Sequence, residues 1–396
     1  MADERNWTSF NAGKMFYHID RWKSIVPGRP CPPPALITVD PSNTCNLACE
    51  WCNAWKVRKN MRQLSRQALI NAADFFAGWK SSDKKYGVGA VCIAGGGEPL
   101  TNPHVGEFIE RLHADNIKSA TVSNGLLLDR FFEPLLHNEY VALSVDAGTS
   151  KTFNKYKGLP QDSKAFDKII GNIEQLCRLS RSRNCRLNAD SPSNGVNYRM
   201  LIYKDNIGEI YEAAKIVREL GCKNFHIRPA SVPFDGQISF SYTKDELDEF
   251  RHQIDLVNRM PERRFGFYYT LGKFDENFNK KNDFCHCYGI FMTATLMPPN
   301  QEGHPDGYCL NVCCDRRSDP LVRLLTNADD ISEIARAWGS KKHWDIFRAL
   351  TQNEIQTAVR VALIIRTTKF MKTVLKTTKT ICCWTLSENE TTRLEL

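Results

Sequence analysis

Three cysteines in one short stretch give the strongest chemical signal. They lie in Cys45-Asn-Leu-Ala-Cys49-Glu-Trp-Cys52, a CxxxCxxC pattern. Thiolates this close need a cation, and soft thiolate ligands select zinc, copper(I) or an iron–sulfur cluster. A structural zinc site takes four ligands, whereas this loop supplies three. The spacing therefore favours a [4Fe–4S] cluster with one open iron, and a zinc site that borrows a fourth ligand from elsewhere is the alternative.

A second group of cysteines lies nearer the C-terminus: Cys285, Cys287, Cys309, Cys313 and Cys314. Asp306-Gly307 precedes Cys309 and is typical of a hairpin turn. Clustered thiols in a reducing compartment favour metal over disulfides. The group therefore predicts a metal site; a zinc site of Cys285, Cys287, Cys309 and Cys313, or plain reduced thiols, are among the possibilities.

Alternating strand and helix patterns precede this second group. Buried strands are predicted at residues 35–39, 87–94, 119–123, 141–145, 198–203 and 224–228, with helical periodicity between them. Strand–helix repeats predict a parallel sheet. Eight strands would close a barrel, so these six predict an α/β fold with an open sheet or a partial barrel. The (β/α)6 partial TIM barrel with a small cysteine-bearing extension is the fold expected here.

Polar and flexible residues follow several of these strands. Since the carboxyl ends of parallel strands share one edge, side chains there are expected to face a common ligand. The candidates are Gly95, Gly96, Gly97, Glu98, Ser123, Asn124, Ser144, Asp146 and Arg228. The glycines can adopt positive φ and expose backbone groups to a ligand, and a simple strand-to-helix turn is the alternative for them. An ordinary polar strand end is the alternative for each of the others.

The cysteine loop after a strand, with Trp51 beside its last cysteine and Gly95-Gly-Gly-Glu-Pro99 after the next strand, resembles the radical S-adenosylmethionine (SAM) superfamily. The resemblance covers residues 35–230. It implies that Cys45, Cys49 and Cys52 hold a [4Fe–4S] cluster whose open iron chelates SAM. One electron then cleaves SAM to a 5′-deoxyadenosyl radical, which abstracts hydrogen from the substrate.

The same resemblance implies roles for further residues. Gly95–Gly97 would meet the methionine amino group, which Glu98 helps to hold, and Trp51 would lie near adenine unless it is a core tryptophan. Ser123, Asn124, Ser144, Asp146 and Arg228 would contact SAM or substrate. Lys155 and Lys157 lie where some family members carry a basic residue for the SAM carboxylate.

The C-terminal cysteines resemble the SPASM or twitch extension of radical SAM enzymes. This implies an auxiliary cluster, a peptide or protein substrate, and an electron donor such as flavodoxin or ferredoxin. The alternatives are an activating enzyme, an enzyme that modifies a small molecule or nucleotide, and, from another class, a zinc-stabilised binding module without catalysis.

The 396-residue chain is predicted to divide into an N-terminal segment (1–34), the partial barrel (35–235), a helix with the auxiliary-cluster region (236–350) and a basic tail (351–396). The tail is rich in Thr and Lys and has no clean period, which favours weak order. A shifted reading frame is one hypothesis for it, which the gene's DNA sequence would test.

The net charge is +8, but six Lys/Arg residues and no acids lie between Ile355 and Ser387. The remainder is close to neutral, which argues against a nucleic-acid partner. No apolar run reaches membrane-spanning length, and the first residues lack the apolar core of a secretory signal. A cytoplasmic protein without a membrane partner is therefore expected.

Overall fold

The computed structural model describes residues 17–52, 54–191, 194–230, 242–269, 287–300 and 303–350. The predicted metal ligand Cys285 and the tail 351–396 lie outside these ranges. The described residues form a sheet with the strand order β10-β9-β8-β1-β2-β3-β4-β5-β6-β7. The strands are β1 (Leu36–Val39), β2 (Ala90–Ile93), β3 (Lys118–Ser123), β4 (Tyr140–Ser144), β5 (Gly195–Ile202), β6 (Asn224–Pro229), β7 (Gly266–Tyr268), β8 (Thr293–Met297), β9 (Tyr308–Asn311) and β10 (Arg323–Ala328).

The six predicted strands are confirmed as β1 to β6, each parallel to the next. Two further strands extend this parallel set: β7 pairs with β6, and β8 pairs with the other side of β1. The fold is therefore the expected partial barrel. Both added strands belong to the C-terminal half, where the strand–helix rhythm of the sequence ends.

Helices connect the parallel strands and cover the sheet. They are α1 (Ile19–Lys23), α2 (Arg66–Gly78), α3 (Val105–Ala114), α4 (Phe132–Leu135), α5 (Ser150–Lys157), α6 (Ala165–Ser182), α7 (Ile210–Leu220), α8 (Lys244–Asn258), α9 (Glu333–Ala337) and α10 (Lys341–Ala349). The sequence pattern did not indicate α5, because its eight residues include only two aromatic side chains and no aliphatic stripe. Its ends are nevertheless well defined: the Thr149 hydroxyl caps the first turn, and Gly158 adopts a left-handed φ of 69°.

Strand β5 shows how the sheet separates core from site. Tyr198, Met200 and Ile202 are fully buried, whereas Arg199 and Leu201 between them are half-buried. Successive side chains of a strand point to opposite faces. One face of β5 therefore packs in the core, and the other faces the barrel interior.

The C-terminal extension adds antiparallel strands to the same sheet. Strand β9 pairs antiparallel with β8 and β10. The Asp306-Gly307 turn is present, but it lies just before β9 in a connection running from 298 to 307, not in a two-residue hairpin loop. The Tyr308 hydroxyl donates to the Ala68 carbonyl at 3.0 Å, which ties the extension to α2. Within the described ranges, no helix has the length and apolarity to span a membrane.

Candidate active site

The cysteine loop follows β1 directly and is held by the end of α5. The backbone N–H of Ala48 donates to the Lys157 carbonyl at 3.1 Å, and that of Glu50 donates to the Tyr156 carbonyl at 3.3 Å. Gly158 packs so closely on the loop that a Cβ there would lie 2.7 Å from the Ala48 carbonyl oxygen. A helix missed in the sequence therefore fixes the position of the loop.

Arg58 faces the three thiols Cys45, Cys49 and Cys52. Its side chain hydrogen-bonds to the Cys52 sulfur and to the Leu47 carbonyl. Burial alone would lower the pKa of Arg58, but that hydrogen bond and the charges of all three thiols raise it. Burial raises the pKa of Cys45 and Cys49, and the Arg58 charge opposes this. The thiols thus lie within electrostatic reach of one cation and of each other.

Buried thiols with raised pKa values need a bound cation to become thiolates. The loop supplies three sulfur donors, all free and partly accessible, and this donor set suits an iron–sulfur cluster. Among the described side chains, no three His, Cys, Asp or Glu residues converge closely enough to hold one metal ion. That finding concerns mononuclear sites, because the thiolates of a cubane cluster each bind a different iron.

The glycines after β2 lie against the cysteine loop. A Cβ on Gly97 would lie 2.1 Å from the Thr44 carbonyl oxygen, and one on Gly96 would lie 2.5 Å from Asn43 Oδ1. None of Gly95, Gly96 and Gly97 adopts the positive φ that glycine allows. Close backbone approach requires glycine here: Gly97 N–H donates to the Ser42 carbonyl at 2.9 Å.

Glu98 connects this segment to the end of β3. Its buried carboxylate accepts hydrogen bonds from the Ser123 hydroxyl at 2.7 Å, the Asn124 N–H at 2.8 Å and the Leu100 N–H at 3.1 Å. Burial raises its pKa, and these donors oppose the shift. The Asn124 amide donates to Asn46 Oδ1 at 2.8 Å, which links the end of β3 to the cysteine loop. Glu98, Ser123 and Asn124 are therefore brought together at one edge.

Asp146 and Lys157 form a buried ion pair below the cysteine loop. Their side chains are 3% and 2% exposed, and 2.6 Å separates Lys157 Nζ from Asp146 Oδ2. Lys157 also donates to the Ser144 carbonyl at 2.8 Å. Burial alone would lower the pKa of Lys157, but the charges of Asp146 and Cys49 raise it. Lys155, by contrast, pairs with Asp205 at the surface.

Trp51 lies in a small aromatic cluster. Its ring stacks on Tyr203 with 3.6 Å between centroids and packs edge-on against Tyr156 at 4.3 Å. Trp51 is 8% exposed. These contacts hold the end of the cysteine loop against α5 and the end of β5, and the expected contact with adenine stays a prediction.

Arg228 lies in the barrel interior with Arg199 and His226. Strand pairing sets Arg199 beside His226, and Leu201 beside Arg228. The Arg228 side chain is exposed to solvent, although protein groups surround it. Burial among these groups and the charge of Arg199 lower the pKa of Arg228, and the charge of Asp315 acts in the opposite direction. Burial and the two arginines lower the pKa of His226 to about 3. This part of the interior therefore favours anionic groups.

The structure separates the second group of cysteines. Cys287 and Cys313 are buried within electrostatic reach of each other, and burial raises the pKa of Cys287 to about 12 and of Cys313 to about 11. The Cys309 sulfur donates to the Leu325 carbonyl at 3.3 Å. Cys314 interacts electrostatically with Cys313 and also with Cys92 of β2. The auxiliary site stays a prediction, with Cys287, Cys313 and Cys314 as the described cysteines of this group that interact with one another.

Sequence reasoning missed Arg58, Asp40 and Arg317. Arg317 donates to both carboxylate oxygens of Asp40, which is fully buried at the end of β1. Burial alone would lower the pKa of Arg317, but Asp40 raises it. Charged residues separated by 277 positions leave no local signal, although an acid directly after a buried strand could have drawn attention to Asp40.

Comparison with known proteins gives a family match over the site. Residues 39–188 match the family described as the radical SAM superfamily. The chain is 26% identical over 197 residues to the AdoMet-dependent heme synthase of Methanosarcina barkeri, covering 49% of this chain and 50% of that protein. It is 22% identical over 245 residues to the subtilosin biosynthesis protein AlbA of Bacillus subtilis, covering 57% and 49%. The chain thus spans about half the length of the curated relatives it matches.

Solved structures share the fold over most of the chain. Streptococcus suis SuiB bound to S-adenosylmethionine aligns with a TM-score of 0.59 at 15% identity, covering 85% of this chain and 72% of that one. The protein anSMEcpe with bound AdoMet and the Kp18Cys peptide aligns with a TM-score of 0.54 at 16% identity, covering 83% and 84%. The cysteine loop and the glycine segment packed on it both lie within residues 39–188, and this part of the chain matches the radical SAM superfamily, a match that implies a [4Fe–4S] cluster and S-adenosylmethionine.

Proposed function

We propose that this protein cleaves SAM reductively and uses the resulting radical to abstract hydrogen from a peptide or protein substrate. In this proposal Cys45, Cys49 and Cys52 hold the cluster. When bound, the cluster supplies one electron for the cleavage of SAM, whose 5′-deoxyadenosyl radical takes the substrate hydrogen.

One observation carries the proposal: the glycine segment after β2 packs backbone-to-backbone on the cysteine loop. Gly97 cannot carry a side chain there, because Thr44 occupies the space. The segment therefore lies against the residues that lead into Cys45 and continues into Glu98, which interacts electrostatically with Cys45 and positions Ser123 and Asn124. This arrangement supports a site in which one ligand contacts the loop and two strand ends at once.

The remaining residues would orient ligands and keep the loop in place. Glu98 would act mainly by fixing the end of β3, since its carboxylate already accepts three hydrogen bonds. Asp146 and Lys157 would brace the loop from below through their ion pair. Arg228 would contact an anionic group of SAM or substrate, because its guanidinium lies in the barrel interior beside Arg199.

Anaerobic purification with SAM and dithionite tests the SAM chemistry. We expect iron and sulfide to co-purify and 5′-deoxyadenosine to form. Cys45→Ala should lose the share of iron held by the cysteine loop and all formation of 5′-deoxyadenosine. Cys185→Ala is the matched control, since its sulfur is half-buried and interacts with the Ser180 carbonyl far from the loop. A colourless protein that holds zinc and makes no 5′-deoxyadenosine would favour the zinc-stabilised module instead.

Several neighbours support a peptide substrate. SuiB has also been solved with its precursor peptide SuiA, and anSMEcpe with a peptide. AlbA is named for the biosynthesis of a bacteriocin. The heme synthase match keeps a small-molecule substrate as the second candidate. Deuterium transfer into 5′-deoxyadenosine distinguishes a peptide substrate from a small-molecule substrate. We expect transfer when the enzyme is incubated with proteolytic peptides of a deuterated lysate. Transfer only from the low-molecular-weight fraction of that lysate would favour a small-molecule substrate.

An auxiliary iron–sulfur cluster and a protein electron donor complete the proposal. Cys287 and Cys313 would supply two ligands of the auxiliary cluster, because both are buried and adjacent in the extension. Iron content in Cys313→Ala tests this. The variant should retain the iron held by the cysteine loop and lose the remainder, whereas an unchanged iron content would remove Cys313 from the ligand set. A flavodoxin or ferredoxin should replace dithionite as reductant.

A further inference from the structure

A basic cleft lies between the cysteine loop region and the C-terminal extension. It encloses about 670 Å³, a volume within the range of ligand sites. Its described lining includes Lys56, Val57 and Asn60 from the short 3-10 helix Val57–Asn60 and the residue before it, Arg323 and Thr326 from β10, and Lys342 from α10. Asn300, Ser318 and Pro320 from the connecting segments complete it. This cleft is separate from Glu98 and the strand ends of the candidate active site.

The charge of the cleft has one sign. Lys56, Arg323 and Lys342 line it, and no acid is among its described lining residues. Arg323 donates to the Asn311 side-chain oxygen at 2.6 Å and to a backbone carbonyl at 2.9 Å. Lys342 donates to the Leu324 carbonyl at 2.8 Å. These acceptors orient the cations but carry no charge, so both cations can attract an anion.

The shape of the lining favours a peptide over a nucleotide. Arg323 and Thr326 belong to β10, the edge strand of the sheet, and an extended peptide can lie along such an edge. Asn60, Asn300 and Ser318 add neutral hydrogen-bonding groups. The described lining holds no aromatic side chain on which a base could stack.

We propose that this cleft binds an acidic segment of a peptide, with carboxylates held by Arg323 and Lys342. The proposal rests on the proposed function for the ligand class and adds a charge preference to it. Lys56 and Asn60 follow the cysteine loop within one short helix, so a peptide bound here would be anchored beside the candidate active site.

Binding of fluorescein-labelled hexaglutamate to the full-length, anaerobically reconstituted protein tests this inference without SAM cleavage. We expect saturable binding that weakens with added salt, and no binding of hexaglutamine. Lys342→Gln should weaken the affinity about fivefold, the value of one partly exposed ion pair, and Lys342→Arg should restore it. Lys341→Gln is the matched control, because Lys341 is 88% exposed and pairs with Asp345.

A second variant guards against misfolding. Thr326 is exposed and lines the cleft, so Thr326→Glu adds a repelling charge without removing an internal contact, and it should weaken binding where Thr326→Gln does not. Equal affinities in these two variants, or in Lys342→Gln and Lys341→Gln, would overturn the proposal. A competition experiment with pyrophosphate gives a further test. If pyrophosphate binds the cleft and hexaglutamate fails to displace it, the proposal of an acidic peptide is overturned in favour of a phosphate ligand.

Discussion

Replacing Lys157 with methionine tests whether a buried ion pair braces the cysteine loop. The Lys157 and Asp146 side chains are almost completely buried, with 2.6 Å between their charged atoms. Methionine has a similar volume but leaves the Asp146 carboxylate buried, with the Leu201 N–H still donating to it. Loss of one partner of a buried ion pair costs about 3–5 kcal/mol. We therefore expect the free energy of unfolding to fall by about that amount.

Equilibrium denaturant unfolding under reducing, iron-free conditions measures this change. Lys155→Met is the matched control: Lys155 lies two residues away on the same helix and pairs with Asp205, but both side chains are more than half exposed. Solvent screens such a pair, so the control should remain close to the wild type. Asp146→Asn combined with Lys157→Met should recover much of the loss, because no buried charge is left without its partner. Equal effects of Lys157→Met and Lys155→Met would refute the reasoning.

Three further changes probe the site and the extension. The carboxylate of Glu98 accepts hydrogen bonds from backbone N–H groups on both of its oxygens. Glu98→Gln places an amide nitrogen opposite one of these donors, so the free energy of unfolding measured by denaturant titration should fall by about 1–3 kcal/mol. Gly97→Ala drives a Cβ into Thr44 and should reduce iron incorporation, whereas Gly171→Ala, with open space around its Cβ, should keep iron and gain up to about 1 kcal/mol. His343 is buried, and burial lowers its pKa to about 4. As the pH falls below ~6.5, His343 therefore takes up a proton in the unfolded chain but not in the folded protein. The free energy of unfolding should fall by about 3 kcal/mol between pH ~6.5 and 4. Unfolding free energies measured across this range should show a flatter profile in His343→Gln.

The sequence was sufficient for the first six parallel strands, β1 to β6, and for the edge that carries the site. Each of β1 to β6 is a short apolar run, and such runs alternate with amphipathic helices at a spacing that admits few other folds. Strands β7 to β10 break this rhythm, and their burial depends on partners distant in sequence, such as β8 against β1. The pattern around them therefore gave no strand signal.

Within the site, residue types were predictable but contacts were not. The cysteine spacing and the glycine run both identify the correct region. However, Glu98 lies 25 residues before its partner Ser123, and no period in the sequence links them. Gly97 matters for its lack of a side chain and not for its φ, and the sequence could not show this because the close approach of two loops depends on tertiary packing. Arg58 is one of four cations that follow the cysteine loop closely, with Lys56, Lys59 and Arg62, and the sequence does not show which of them the fold brings to the sulfurs.

The ion pair between Arg317 and Asp40 argues that the extension and the partial barrel fold as one unit. Asp40 ends β1 immediately before the cysteine loop and is fully buried, and Arg317 of the extension donates to both of its oxygens. Strand β8 covers the side of β1 opposite β2. A chain ending near residue 235 would leave β1 as an exposed edge and Asp40 as a charge without its partner. The boundary predicted near residue 235 therefore separates two sequence patterns. The buried carboxylate of Asp40, next to the cysteine loop, is paired only when residues from both sides of that boundary are present.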